Sequence, residues 1–389
     1  MTYQTKSKIF VRDDGEAGLQ VFSPYTGLFY NVPVEDRTEV LEWLNGHRTK
    51  VSQCYLDSIG LLWKTTFAKV AEQSLIHVPT STSVSIDRLL VINWLITGKC
   101  THKCPYCYAQ DMRELDSCIT TEKDVDRMVS IILSYSPLAV VISGGEPLLH
   151  PFFCSIIEKL HGKTGIIVDT NGTLLTEELV QFLKEKDVVV RISVDSLIDK
   201  NDRITRQICD RKRQPDNLST VLKAVELCIR KELALVIHTV VTAANKNDLL
   251  SMGEKLYCVG VHVWKLMQLV DIKTNETKRL AVSYQSSEHF SRLIKHSVNA
   301  MWQDRMRVII QENNPRSLNA TVLVSPDGRF LTQAVSGNKK IPLDPSYPNM
   351  PREEEIRKRL DLWEHRKRYM GECCPSSTAE PGGRHGRAV

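Results

Sequence analysis

No stretch of the 389-residue chain approaches the roughly 18 apolar residues that a membrane span requires. Its first residues, Met1-Thr-Tyr-Gln-Thr-Lys-Ser-Lys8, lack the apolar core of a signal peptide. Neither sign of charge is in excess: 51 Lys and Arg stand against 46 Asp and Glu, a formal net of +5, which calls for no nucleic-acid partner. The eleven cysteines show none of the regular spacing of an extracellular disulfide framework. No membrane partner is therefore expected, and a reducing cytoplasm is the compartment that fits. The length suffices for a large core and two or three domains.

Three cysteines do cluster, in Cys100-Thr-His-Lys-Cys104-Pro-Tyr-Cys107, directly after the apolar run Leu90-Val-Ile-Asn-Trp-Leu-Ile96. That run reads as a buried strand, which puts the thiols on a short loop at its C-terminal end. A fourth cysteine at ligand spacing is missing. Three thiolates can hold three irons of a cubane iron–sulfur cluster and leave the fourth iron open to a small molecule. A structural zinc site would need a fourth protein ligand, for which His102 is the candidate within the loop.

The C-x₃-C-x-aromatic-C loop resembles that of the radical S-adenosylmethionine (radical SAM) family. The resemblance implies a [4Fe–4S] cluster on Cys100, Cys104 and Cys107, whose open iron chelates the amino and carboxylate groups of SAM. Reduction would then split SAM into methionine and a 5′-deoxyadenosyl radical that abstracts hydrogen from substrate. It also implies oxygen sensitivity and an external electron donor such as flavodoxin or ferredoxin.

From about 88 to 300, strand patterns at 90–96, 139–143, 166–170, 188–194, 235–241 and 263–268 alternate with helix patterns near 121–134, 152–160, 176–185, 217–231, 247–258 and 287–300. Six βα units with β-branched strands argue for an α/β fold, a parallel sheet curved into a partial (β/α)6 barrel. Right-handed crossovers gather the strand C-termini on one rim, where such barrels carry their sites.

Further motifs fall at those strand ends. Ser143-Gly-Gly-Glu-Pro147 follows the second strand, and its glycines permit close backbone approach. The resemblance assigns Gly144, Gly145 and Glu146 to the SAM amino group. Asp169-Thr-Asn-Gly172 matches a turn bordering the SAM pocket, with Asn171 as candidate or as plain turn chemistry. Ser193 and Asp195 point the same way by the strand period and suit a ribose diol. Arg206, or alternatively Arg203, matches an arginine that pairs with the SAM carboxylate. Tyr106 is expected beside adenine. His238 is read as a core histidine before a substrate contact, Cys118 as a candidate radical-quenching thiol, and Cys54, Cys154, Cys228 and Cys258 as small buried hydrophobes.

Residues 1–80 read as three strands, 8–12, 19–23 and 28–32, then helices at 35–44 and 51–59. This resembles the winged-helix-like, PqqD-like domain that holds leader peptides by β-augmentation. Residues 81–87 suit a linker. In 301–374, Ala320-Thr-Val-Leu-Val-Ser-Pro-Asp-Gly-Arg-Phe330 reads as a hairpin resembling the start of a SPASM or twitch domain. The cysteine that should follow is replaced by Leu331-Thr-Gln333, so the region is degenerate and no auxiliary cluster is expected. A charged helix, 352–369, and a disordered tail, 375–389, end the chain. The leading expectation is an enzyme that modifies a ribosomally made precursor peptide by crosslinking or epimerisation. The alternatives are a radical SAM enzyme acting on a small molecule such as a nucleotide or sugar, and a non-catalytic iron–sulfur peptide-binding protein.

Overall fold

In the computed structural model, the described residues are 2–4, 9–32, 34–44, 76–78, 89–209, 216–269, 306–312, 320–333, 340–343 and 353–370, with a few isolated positions besides. The N-terminal strands are β1 (Thr2–Gln4), β2 (Phe10–Asp13), β3 (Leu19–Ser23) and β4 (Leu28–Val32). They are followed by α1 (Arg37–Leu44), and with β5 (Ile76–Val78) they form an antiparallel sheet in the order β4-β3-β2-β1-β5. β2, β3 and β4 are the three expected strands, and Gly27, at φ 70°, turns the chain between the last two. β1 and β5, three residues each, are too short to show an alternation in the sequence. On α1 it is Val40 and Trp43 that are buried. The helix expected at 51–59, the linker 81–87, the tail 375–389 and, but for Ile294, the helix at 287–300 lie outside the described residues.

The chain then alternates. β6 (Val91–Leu95), α2 (Glu122–Ser134), β7 (Ala139–Ser143), α3 (Phe153–Leu160), β8 (Gly165–Thr170), α4 (Glu177–Glu185) and β9 (Val189–Ser193) lead to α5 (Asp199–Thr205) and α6 (Asn217–Arg230). β10 (Leu235–Val241), α7 (Leu249–Cys258) and β11 (Val263–Gln268) complete the six expected strands. Two more join them: β12 (Arg307–Gln311) pairs parallel with β11, and β13 (Val322–Val324) pairs parallel with β6. The parallel run is therefore β12-β11-β10-β9-β8-β7-β6-β13, and β12 and β13 form its two ends. β14 (Phe330–Gln333) and β15 (Lys340–Pro342) add an antiparallel extension beyond β13. The expected hairpin is present, but its first strand extends the barrel sheet.

Alternation along each strand divides the barrel into layers. Ile92, Trp94, Val140, Ile142, Val168, Ile192 and Ile237 pack outward against the helices. The other set faces inward. At its lower level Val141, Ile167, Val189, Val236, Val263 and Ile309 share a core with Phe22, Phe29 and Tyr30 of the N-terminal sheet. That sheet is thus the barrel's floor. Gly165 marks the contact, since a Cβ there would lie 2.3 Å from the Phe22 ring. Arg12 fastens it: fully buried, it pairs with Asp14 at 2.8 Å and donates to Leu89 O at 2.7 Å and Ser136 O at 3.0 Å.

The C-terminal helix expected at 352–369 is two helices, α8 (Glu353–Arg359) and α9 (Leu362–Met370). Asp361 makes the break, because its carboxylate accepts the Glu364 N–H at 2.9 Å as an N-cap. α9 lies against β4, with the Phe29 and Tyr369 rings 5.6 Å apart. Of the cysteines read as buried, Cys228 is buried, whereas Cys154 and Cys258 are exposed at helix positions facing away from the core; Cys54 lies outside the described residues.

Candidate active site

A cavity of about 280 Å³ opens at the C-terminal rim of the barrel. Cys100, Cys104 and Cys107 line one side of it, with Tyr106 between them in the chain. Burial pushes the Cys104 thiol up to about 12 and the Cys100 thiol up to about 11, so both are protonated without a metal and would release protons on binding one. Among the described residues no three His, Cys, Asp or Glu side chains converge as a single metal ion requires. The thiols instead share the wall of one cavity, as ligands to a polynuclear cluster must. His102 is committed elsewhere: Nε2 donates to Asn217 Oδ1 at 2.9 Å, and Nδ1 accepts the Thr101 hydroxyl at 2.9 Å. Burial, with the Arg206 charge nearby, lowers its pKa to about 4 and keeps the ring neutral.

Backbone contacts register the glycine motif against the cysteine loop. Gly145 N–H donates to Thr97 O and Glu146 N–H to Lys99 O, both at 2.7 Å. A Cβ on Gly144 would lie 2.4 Å from Thr97 O, and one on Gly145 2.2 Å from Lys99 O. The close approach that these glycines permit is therefore to the loop backbone, while both still line the cavity. Glu146 does not line it. Its carboxylate turns inward and accepts the Thr170 hydroxyl at 2.7 Å and the Asn171 N–H at 2.8 Å, tying one strand end to the next. Burial raises its pKa to about 7 against those donors. In this structure the Glu146 carboxylate makes an internal fastening.

The remaining predicted residues meet at the same cavity. Asn171 reaches it and donates to Thr101 Oγ1 at 2.9 Å. Together with His102, Asn217 and Asp202 this makes a hydrogen-bond chain from the turn after β8, through the cysteine loop, to α5 and α6. Ser193 and Asp195 both line the wall. The Asp195 carboxylate accepts the Tyr106 hydroxyl and the Val240 N–H, the latter at 2.9 Å, and burial raises its pKa. Tyr106 is thereby pinned through its hydroxyl. Arg206 faces the cavity beside Cys104, Tyr106 and Asp195, whereas Arg203 is on the outside in an i,i+4 pair with Asp199 at 2.7 Å. Cys118 is turned away, its sulfur 3.2 Å from where a Cβ of Gly328 would be.

On the lower wall sequence reasoning weighed His238 alone, as a core histidine before a substrate contact, and passed over its basic neighbours. Arg191, His238 and Lys265 face inward from β9, β10 and β11, and Arg368 and Tyr369 reach in from α9. Arg191 pairs with Asp169 through two nitrogens, Nη2 to Oδ2 at 2.7 Å. A small pocket beneath is lined by Arg191, Lys265, Arg307 and Arg368. His238 is buried there, its Nε2 has no hydrogen-bond partner, and burial with the charges of Arg191 and Lys265 holds its pKa well below the usual value. Alternation along β9 to β11 was the available signal. It places Arg191, His238 and Lys265 on the same inward face as Ser193.

A sequence model of the radical SAM superfamily matches residues 94–256, the span from β6 to α7 that carries the cysteine loop and the motifs above. Over that span the chain is similar to the radical SAM superfamily. It shares 27% identity over 280 residues with an S-adenosylmethionine-dependent nucleotide dehydratase of Lacinutrix mariniflava, covering 69% of this chain and 55% of the relative. This chain thus spans about half the length of that relative. Among solved structures, Streptococcus suis SuiB bound to S-adenosylmethionine superposes with a TM-score of 0.56 at 12% identity, over 95% of this chain and 89% of SuiB. SuiB bound to precursor peptide SuiA gives 0.56 at 13%, over 85% and 82%. At such identities the likeness is one of fold.

Radical SAM proteins use a [4Fe–4S] cluster and SAM, and this cavity has the donor set for both. Three thiols line the cavity with Arg113, whose buried Nε lacks a partner among the described residues. Arg206 places a guanidinium on the same cavity. No helix among the described residues is long and apolar enough to cross a membrane.

Proposed function

We propose that this radical SAM enzyme acts on an anionic small molecule of the nucleotide class. The observation that carries this reading is the basic lower wall: Lys265 and Arg368 beside the Arg191–Asp169 pair, with the buried His238, at the inner end of the cavity that the cysteines face. A chain of phosphates is the ligand for which several converging cations and a buried donor are suited. The relative named for nucleotide dehydration supports the same substrate class.

In this reading Cys100, Cys104 and Cys107 hold the cluster, and Gly144 and Gly145 offer backbone to the SAM amino group. Arg206 pairs with the SAM carboxylate, Ser193 and Asn171 border the nucleoside, and Tyr106, fixed through Asp195, flanks adenine. A cluster and SAM held by these residues would supply radical chemistry that takes hydrogen from substrate. An external one-electron donor is required.

A second reading, in which a precursor peptide is the substrate, is supported by the N-terminal antiparallel sheet, whose β5 forms one edge of the kind that β-augmentation uses. The test is 5′-deoxyadenosine release from anaerobically reconstituted protein with SAM and a strong reductant. Nucleoside triphosphates, the matching nucleosides and candidate precursor peptides are compared. Triphosphates are expected to stimulate release where nucleosides do not. Lys265→Ala and Arg368→Ala should each raise the apparent KM by roughly 10- to 100-fold, the worth of one charged hydrogen bond. Stimulation by a peptide alone, unaffected by either substitution, would replace the first reading with the second.

A further inference from the structure

The turn after the cysteine loop holds one arginine in an unusual place. Gln110 Nε2 donates to Cys104 O and Pro105 O, both at 3.2 Å, tying the 3-10 turn Gln110–Met112 to the loop. Met112 is buried in a cluster with Leu95 and Ala109. Gly98 lies against the same turn: a Cβ there would be 2.4 Å from Met112 O and 2.6 Å from Arg113 O. The backbone of Arg113 is thus clamped between the entry to the cysteine loop and its exit.

From that anchor the side chain runs along the cavity wall, and its guanidinium lies beside Cys107. Its Nε is buried and has no partner among the described residues. A buried guanidinium N–H left unpaired is costly, and the acceptor it lacks would have to lie in the cavity beside the three thiols. Sulfur that accepts hydrogen bonds there, beside a fixed positive charge, favours the more negative, reduced state of an iron–sulfur cluster.

We propose that Arg113 is the residue that sets the reducibility of the cluster, donating to the Cys107 sulfur and presenting its remaining N–H to the cluster. The proposal rests on the reading that Cys100, Cys104 and Cys107 hold that cluster. It concerns a one-electron step, in which the reductant gives up one electron and the cluster takes it, with no proton or ligand exchanged. Arg113 contributes charge and hydrogen bonds and takes no part in breaking the SAM bond.

The experiment is a redox titration with mediators and dithionite on reconstituted Arg113→Gln, Arg113→Lys and the unaltered protein, following the spectroscopic signal of the reduced cluster. Iron content is measured alongside. At a fixed potential the reduced-to-oxidised ratio in Arg113→Gln is expected to fall about tenfold, equivalent to ~59 mV for a one-electron couple. Arg113→Lys, which keeps the charge and loses the fork, should fall between. A ratio unchanged in Arg113→Gln overturns the proposal. If Arg113→Gln fails to hold iron, Arg113→Lys decides alone, and an unchanged ratio there overturns it equally. Cys104→Ala that still holds a full complement of iron would instead sink the ligand reading, a result distinct from either.

Discussion

At the scale of single residues, the site depends on groups that serve the protein before they serve a ligand. Gly145 shows this best. It borders the cavity, yet the space beside it is filled by Lys99 O and Gly98 O, at 2.2 and 2.5 Å from an added Cβ. Gly145→Ala must therefore push the cysteine loop out of register with the turn after β7. A misplacement near 1 Å costs on the order of 10²-fold in rate, and 5′-deoxyadenosine release is expected to fall by that order while overall secondary structure, read by circular dichroism, is retained. A variant as fast as the unaltered protein would mean that this contact does not register the loop. The cysteines, both glycines, Asn171, Ser193, Asp195 and Arg206 were legible in the sequence because each lies in a short stretch at a strand end. The inward turn of Glu146 was not, since its partners Thr170 and Asn171 belong to the next strand end. Arg113 escaped too, as nothing in its local sequence marks a side chain that returns to Cys107.

At the scale of elements, α9 is where sequence and structure part most. A charged amphipathic helix was legible, but not its break at Asp361 or its docking. His365 carries that docking. Its Nε2 accepts Leu90 N–H at 3.0 Å, and its Nδ1–H donates to Ala320 O at 2.6 Å, so one neutral ring joins α9 to β6 and to the entry of β13. Tyr369 then meets Asn93 at 3.1 Å, and Arg368 reaches the cavity. Burial lowers the His365 pKa from 6.5 to about 4. In that window the native state binds fewer protons than the unfolded chain, so stability rises with pH. The contribution is complete above pH 6.5 and is lost as pH falls toward 4. The urea midpoint is expected to drop over that range, and His365→Gln, which does not titrate, should show a shallower drop. Equal slopes would remove His365 as the cause. Because α9 also brings Arg368, unlatching it should weaken substrate binding together with stability.

At the scale of the whole molecule, the N-terminal sheet is part of the barrel's core. Strands β2, β3 and β4 were legible, whereas β1 and β5 were not. Their burial was not, because inner strand faces such as Val141, Ile167 and Val189 read equally well as a barrel interior closed by its own side chains. The sheet supplies Phe22 and Phe29 to that interior, and its polar anchor is the fully buried Arg12–Asp14 pair, with Arg366 of α9 3.6 Å from Asp14. Deleting residues 1–80 would therefore uncover the floor, and a point substitution is the cleaner probe. Arg12→Met takes from the buried Asp14 carboxylate its 2.8 Å partner, leaving it the Arg366 contact at 3.6 Å, and leaves Leu89 O and Ser136 O without their donor. Breaking one side of such a pair costs about 3–5 kcal/mol, which chemical denaturation would read as a lower midpoint. Arg12→Met with Asp14→Leu removes that carboxylate and should recover part of that loss. If the sheet were instead a loosely held appendage, Arg12→Met would cost under about 1 kcal/mol, as at an exposed ion pair, and would leave the barrel's midpoint where it was. A loss near the larger figure, shared by a single unfolding transition, would mean that the floor and the site above it fold as one unit.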